Sequence, residues 1–158
     1  MDLHYCVMRL MPLPADRRMW YIWCTMRRTK PIPRTWVRIA RSKTGLGLFA
    51  TRLIFPGMYI EYRGTLLSEE QVGRLKSPRY LFELNKKWTI DGSPRNNIAR
   101  YINHSCQPNC ESIQAGTRIF IKALVLIPPG TELVYDYGPE YTSEFIRPHG
   151  CKCRKCLT

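Results

Sequence analysis

The chain has 158 residues, the length of one ordinary domain, so it is expected to close around a single core. It carries 25 Lys and Arg against 12 Asp and Glu, a formal charge of +13 whose field favours polyanions or acidic protein surfaces and equally serves solubility. The longest apolar run in its C-terminal half, Ala123 to Ile127, is far short of the roughly 20 residues that cross a bilayer, so no membrane helix and no membrane partner are expected.

Met1-Asp2-Leu3-His4 lacks a basic lead-in, and Arg9, Pro12, Pro14, Asp16, Arg17 and Arg18 interrupt any apolar signal core, which reads as an intracellular protein. Seven cysteines are an odd number for a disulfide framework, and closely spaced thiols in a reduced compartment bind metal more often than they pair. Residues 1–35 are rich in Met, Trp and Arg and leave through Pro31 and Pro33, so they form an extension: a substrate-facing flap, a dimer contact or a leader.

From Trp36 the pattern becomes short β-rich runs divided by turns: Trp36 to Ala40, Met58 to Tyr62 and Arg118 to Lys122. Two similar turns, Phe55-Pro56-Gly57-Met58 and Pro128-Pro129-Gly130-Thr131, combine a Pro that presets φ with a Gly that supplies positive φ, as a type II turn needs. Between them, Ser68-Glu69-Glu70-Gln71 has the form of a capping box and predicts a short helix to about Leu75. Asn97 to Ile102 predicts one further helical turn. The fold class expected is mainly β.

Four segments carry chemistry. Thr44-Gly45-Leu46-Gly47 holds a glycine pair that lets backbone approach a ligand, although a Gly-x-Gly is commonly only a turn. Arg100 to Cys110 is dense in hydrogen-bonding groups, more than a solvated loop requires, with His104 readable as a core histidine or a site residue. In Glu132 to Gly138, Tyr135 and Tyr137 fall on one face by the period of two, and as site residues their stiff phenols can orient an amine. The terminal Cys151-Lys152-Cys153-Arg154-Lys155-Cys156 is one thiolate short of a tetrahedral zinc site, with Cys106 and Cys110 as candidates for the fourth ligand.

In this order, Gly45-Leu46-Gly47, Glu61-Tyr62-Arg63-Gly64, Tyr80 to Leu84, Asn103-His104-Ser105-Cys106, Glu132 to Gly138 and the terminal Cys-x-Cys-x-x-Cys resemble the SET-domain protein-lysine methyltransferases, specifically the compact, stand-alone members with a post-SET tail. The resemblance implies a β-clip-like fold with a knotted C-terminal segment, a SET domain over 36–142 and a post-SET zinc-binding tail over 143–158. It implies S-adenosylmethionine as cofactor, framed by Thr44, Gly45, Leu46, Gly47, Tyr80, Arg100, Asn103, His104 and Lys152. Tyr137 matches the family's active-site tyrosine, Tyr135 the position that is either Phe or Tyr, and Tyr62 a channel wall. One structural zinc would be held by Cys106, Cys151, Cys153 and Cys156. The partner implied is a protein bearing the target lysine, with monomethylation as the main product and some dimethylation. The chain departs from the family's histone enzymes in having no cysteine-rich module before Trp36 and a tighter tail spacing. Two rival readings are a catalytically silent SET fold that docks on nucleic acid through its basic surface, and a small zinc protein that binds DNA.

Overall fold

The computed structural model describes residues 29–157 apart from Ser77, and the expectations placed on residues 1–28 lie outside the described residues. In chain order the elements are β1 (Val37–Ser42), β2 (Gly45–Ala50), β3 (Tyr59–Tyr62), β4 (Thr65–Ser68), α1 (Glu69–Gly73), β5 (Leu81–Asn85), β6 (Trp88–Asp91), a 3-10 turn (Ile98–Tyr101), β7 (Asn103–His104), β8 (Cys110–Ala115), β9 (Arg118–Ala123), β10 (Val134–Tyr135) and α2 (Pro139–Tyr141). The architecture is therefore mainly β with a few short helices, as expected.

β1 and β2 form a hairpin, β4, β6 and β5 a three-stranded sheet in that order, and β3-β9-β8-β10-β7 a five-stranded sheet. The alternation read in Arg118 to Lys122 is seen in burial: Ile119, Ile121 and Ala123 are each 1% exposed, while their neighbours face outward. With Leu48, Ile54, Met58, Ile102, Ile127 and Leu133 they make one core. Each buried Ile, Leu or Met side chain among them contributes about 1.5–3 kcal/mol through its burial, and Ala123 less.

Both proline-glycine turns form as read. Met58 N–H donates to Phe55 O at 3.1 Å with Gly57 at φ 87°, and Thr131 N–H donates to Pro128 O at 3.2 Å with Gly130 at φ 83°. The second turn lays the next residues along β2, where Leu133 N–H reaches Leu48 O at 2.8 Å, and so delivers Glu132 to the site. The capping box is complete, Gln71 N–H donating to Ser68 Oγ and Ser68 N–H to Gln71 Oε1, but α1 ends at Gly73 and falls short of Leu75.

Trp36 belongs to a 3-10 turn (Arg34–Trp36) instead of the first strand, because Pro33 at the cap fixes φ at −58° and its carbonyl accepts Trp36 N–H at 2.9 Å. Upstream of it, Ile32 N–H donates to Tyr59 O at 2.7 Å and the Ile32 side chain joins the core, so the chain is packed before Trp36. β10 is inserted between β8 and β7, which precede it in sequence. Among the described residues, no helix is long and apolar enough to cross a membrane.

Candidate active site and metal centre

Two parallel pairings assemble the site. Val134 lies opposite Asn103, and Tyr135 lies opposite both His104 and Cys110, so β10 joins the polar loop to the tyrosine segment. Asn109 clips this junction: its Nδ2 donates to Glu132 O at 2.8 Å, and its Oδ1 accepts Val134 N–H at 2.8 Å. Asn103 Nδ2 donates to Glu132 Oε1 at 2.7 Å and to Leu46 O at 3.0 Å, while Ser42 Oγ donates to Glu132 Oε2 at 2.9 Å. Glu132 thus binds the β1–β2 hairpin to the loop.

This carboxylate explains one of the two glycines. A Cβ on Gly47 would meet the Glu132 carboxylate and come tight against the Ser42 Cβ, so the close approach of Glu132 to the hairpin favours glycine there. Gly45 has open space around it but a φ of 120°, which a side chain rarely adopts. Neither glycine lines the adjacent cleft, whereas Thr44 and Leu46 beside them do.

That cleft, of about 1280 Å³, is walled by ten of the twelve residues read as catalytic or cofactor-binding, all except Gly45 and Gly47. At its base, Tyr137 donates its hydroxyl to Ile102 O at 2.8 Å and its amide to His104 Nδ1 at 3.3 Å. The Tyr135 ring sits 4.7 Å from the Tyr137 ring, Phe82 stacks on Tyr135 at 6.4 Å, and Tyr62 tilts against Phe82 at 5.3 Å. The Tyr135 and Tyr137 rings meet although β10 ends at Tyr135. Burial raises the phenol pKa of Tyr62, Tyr135 and Tyr137, so all three remain protonated donors at neutral pH.

Tyr62 Oη donates to Tyr80 O at 2.9 Å, an approach that depends on Gly92, where a Cβ would collide with the Tyr62 ring. Arg100 holds its guanidinium 4.0 Å above the Tyr80 ring and gives one terminal nitrogen to Ser93 O, but its Nε is buried with no protein partner. A buried donor left unpaired costs free energy, and the Arg100 guanidinium carries that cost beside the cleft wall.

The candidate metal centre is compact. The Sγ atoms of Cys106, Cys151, Cys153 and Cys156 all lie within 4.8 Å of one another, with Cys106–Cys151 at 3.8 Å and Cys156–Cys106 at 3.7 Å. A zinc tetrahedron with bonds of about 2.3 Å has sulfur–sulfur edges of about 3.8 Å, so the four thiols fit that ion. Burial tends to raise the Cys153 thiol, but the amides of Cys106 and Cys156 and the neighbouring thiols outweigh it and hold the pKa at about 6, close to thiolate. Cys110, the other candidate, is fully buried in β8 and is not one of the four clustered thiols.

His104 bridges the two centres. Its Nδ1 accepts the Tyr137 amide, which leaves the proton on Nε2, 3.4 Å from Cys106 Sγ. Burial lowers its pKa, with Asp136 opposing, and thus favours this neutral form. Sequence reasoning missed Glu132 as a bridge, Asn109 as a clip, and Asn97, which is 2% exposed, accepts Arg63 N–H and donates to Gly92 O. Their only trace was an excess of polar residues around the Asn-His-Ser-Cys loop.

Residues 45–138, more than half of the chain, match the sequence profile described as SET domain. The chain belongs to the SET-domain family. Its SET domain is 38% identical over 115 residues to "Histone-lysine N-methyltransferase set-2" of Caenorhabditis elegans, an alignment covering 64% of this chain and 8% of that protein. It is 38% identical over 124 residues to "Histone-lysine N-methyltransferase trithorax" of Drosophila virilis, covering 71% of this chain and 3% of the other. With "Histone-lysine N-methyltransferase 2D" of Homo sapiens the figures are 37% over 138 residues, 77% and 2%. The chain therefore spans less than a tenth of the length of these relatives. The profile runs from the glycine pair to the residue after Tyr137, and the cysteine tail follows it.

Proposed function

We propose that the chain is an S-adenosylmethionine-dependent protein-lysine N-methyltransferase. The observation that carries this reading is the half-buried Tyr137 phenol, hydrogen-bonded to Ile102 O in the wall of an aromatic cleft that the Asn103–His104 strand and the cysteine tail also line. The names of the relatives, each a histone-lysine N-methyltransferase, support it.

S-adenosylmethionine, when bound, supplies an electrophilic methyl group next to a positive sulfonium. The residues that would hold it are Thr44, Leu46, Tyr80, Arg100, Asn103, His104 and Lys152, with Gly45 and Gly47 shaping the hairpin behind them. The cleft volume and the cationic Tyr80–Arg100 shelf suit a ligand with a carboxylate and an adenine.

The attacking group is the ε-amine of a protein lysine, which must be neutral to act. Free lysine has a pKa of about 10.4, and an apolar channel lowers it by disfavouring the ammonium. Tyr62, Phe82 and Tyr135 supply that environment, so no strong side-chain base is needed. Tyr137, a fixed and protonated phenol, orients the amine, and positioning provides most of the rate. The Tyr135 hydroxyl occupies room beside the amine, which favours monomethylation with some dimethylation. Cys106, Cys151, Cys153 and Cys156 would hold one zinc as a closed structural site that fixes the tail against the loop.

The substrate is a protein, with histones the first to test on the strength of the relatives' names, and the setting is intracellular, nuclear if a histone is the substrate. The cleft wall includes Glu140 and Glu144, carboxylates that suit a basic peptide. A second role, docking on nucleic acid, has one observation behind it: Lys30, Arg34, Arg38, Arg41, Lys43 and Arg52 are all exposed, and no Asp or Glu occurs from residue 29 to 60. Affinity for duplex DNA that falls steeply with salt supports that role, and absence of binding at low salt removes it.

The test of the principal reading is transfer of labelled methyl from S-adenosylmethionine into histones, ribosomal proteins or lysate proteins. Label should enter protein with the native chain and be lost with Tyr137→Phe. Equal labelling by both chains contradicts the role given to Tyr137.

A further inference from the structure

Two consecutive carbonyls in the cofactor-side wall are held by tyrosine hydroxyls from opposite directions. Tyr80 O accepts Tyr62 Oη at 2.9 Å and the Gly92 amide at 2.9 Å, and the preceding carbonyl, Arg79 O, accepts Tyr141 Oη at 3.0 Å. Tyr62 comes from β3, within the SET-domain match, whereas Tyr141 ends α2, in the segment that leads from Tyr137 to the cysteine tail. Among the described residues, Tyr141 is the member of 139–149 whose side chain hydrogen-bonds to the facing wall.

The same side chain also touches the catalytic tyrosine. Its ring stands edge-on to Tyr137, with centroids 4.9 Å apart and planes at 87°, and it packs against Phe145 at 4.7 Å on its other side. Burial raises the Tyr141 phenol pKa, with Arg79 opposing, so the hydroxyl remains a donor at working pH. Arg79, Tyr80, Tyr137 and Tyr141 all face the one cleft.

We infer that Tyr141 is a positioning residue with two separable parts: its hydroxyl fixes the Arg79–Tyr80 wall for the cofactor, and its ring backs Tyr137 for methyl transfer. The inference rests on the methyltransferase reading and adds to it a residue outside the motifs that identify the family. Tyr80 carries the Arg100 shelf on its ring, so slack at Arg79 passes directly to the surface on which the cofactor would lie. The ring contact is independent of the hydroxyl and survives replacement by Phe.

The experiment compares the full chain with Tyr141→Phe and Tyr141→Leu. Binding of S-adenosylhomocysteine is followed by calorimetry, kcat is measured at saturating S-adenosylmethionine with mixed histones or the best-labelled lysate fraction as acceptor, and thermal midpoints confirm folding. Tyr141→Phe should weaken S-adenosylhomocysteine about five- to tenfold, the effect of one hydrogen bond, and leave kcat within about twofold. Tyr141→Leu should show the same weakening and in addition lose at least about tenfold in kcat. A Phe variant that binds S-adenosylhomocysteine like the native chain overturns the role of the hydroxyl, and a Leu variant with native kcat overturns that of the ring. A native chain that binds no S-adenosylhomocysteine overturns the methyltransferase reading itself, a result separable from either.

Discussion

Tyr135 and Tyr137 differ in what their hydroxyls can do, although their rings lie 4.7 Å apart. Tyr137 Oη is committed to Ile102 O, which fixes its direction, whereas the Tyr135 hydroxyl belongs to a buried ring that packs against Phe82 and Tyr137 and lines the cleft. Tyr135→Phe removes one oxygen from that enclosure and makes room for a methylated amine, so mass spectrometry of the product should show a shift from mono- toward di- and trimethyllysine. An unchanged distribution would falsify the role assigned to the hydroxyl. That Tyr135 and Tyr137 would share one site was legible from their spacing; the close approach of Glu132 to Gly47 was not. The residue that needs the missing Cβ is Glu132, far away in sequence, and no local pattern announces that a carboxylate will fill the space.

At the scale of elements, what could be read was what local chemistry determines. The two Pro-Gly turns and the Ser68–Gln71 box appeared where their residues require them, and Ser68→Ala should lower stability by about 1 kcal/mol in denaturant titrations, through loss of a cap that is exposed and therefore repairable in part by water. The pairing that makes the site was not readable, because β7 and β10 have two residues each and no periodicity to detect, and their partners are distant in sequence. Tyr141 was missed for the same reason: its acceptor lies 62 residues away. The cysteine tail falls between these cases: its spacing offered three candidate ligands and left Cys106 and Cys110 open, the family resemblance pointed to Cys106, and the fold brings Cys106 to the other three. Metal analysis should return about one zinc per chain, and chelation should lower the thermal midpoint and weaken cofactor binding together, because the tail contributes Lys152 to the cleft. Full stability after zinc removal contradicts a structural role for the cluster.

Across the whole molecule the excess of positive charge is partly organised into pairs. Glu61 is held by Arg118 at 2.7 Å and Arg63 at 3.1 Å, tying β3 to β9, and the Arg118 hydrogen bond keeps its carboxyl below the ordinary value of 4.5 against the opposing effect of burial. A folded pKa below the unfolded one means that the pair stabilises the fold above about pH 4.5 and that this contribution is lost as pH falls through the lower, folded value. Thermal midpoints of Glu61→Gln should therefore lie below those of the native chain near neutrality and converge with them toward pH 3, a small difference given how exposed the arginines are. Parallel curves at all pH values contradict the linkage. The sheets and the tail meet at one arrangement, a protonated tyrosine in an aromatic cleft, and the proposed activity stands on the identity of the group that accepts the methyl. The most direct measurement is acid hydrolysis of the protein labelled from methyl-labelled S-adenosylmethionine, followed by amino-acid analysis. Label recovered as ε-N-methyllysine with the native chain, and absent with Tyr137→Phe, is the predicted result; label recovered on any other residue, or no label while the cofactor is bound, contradicts it.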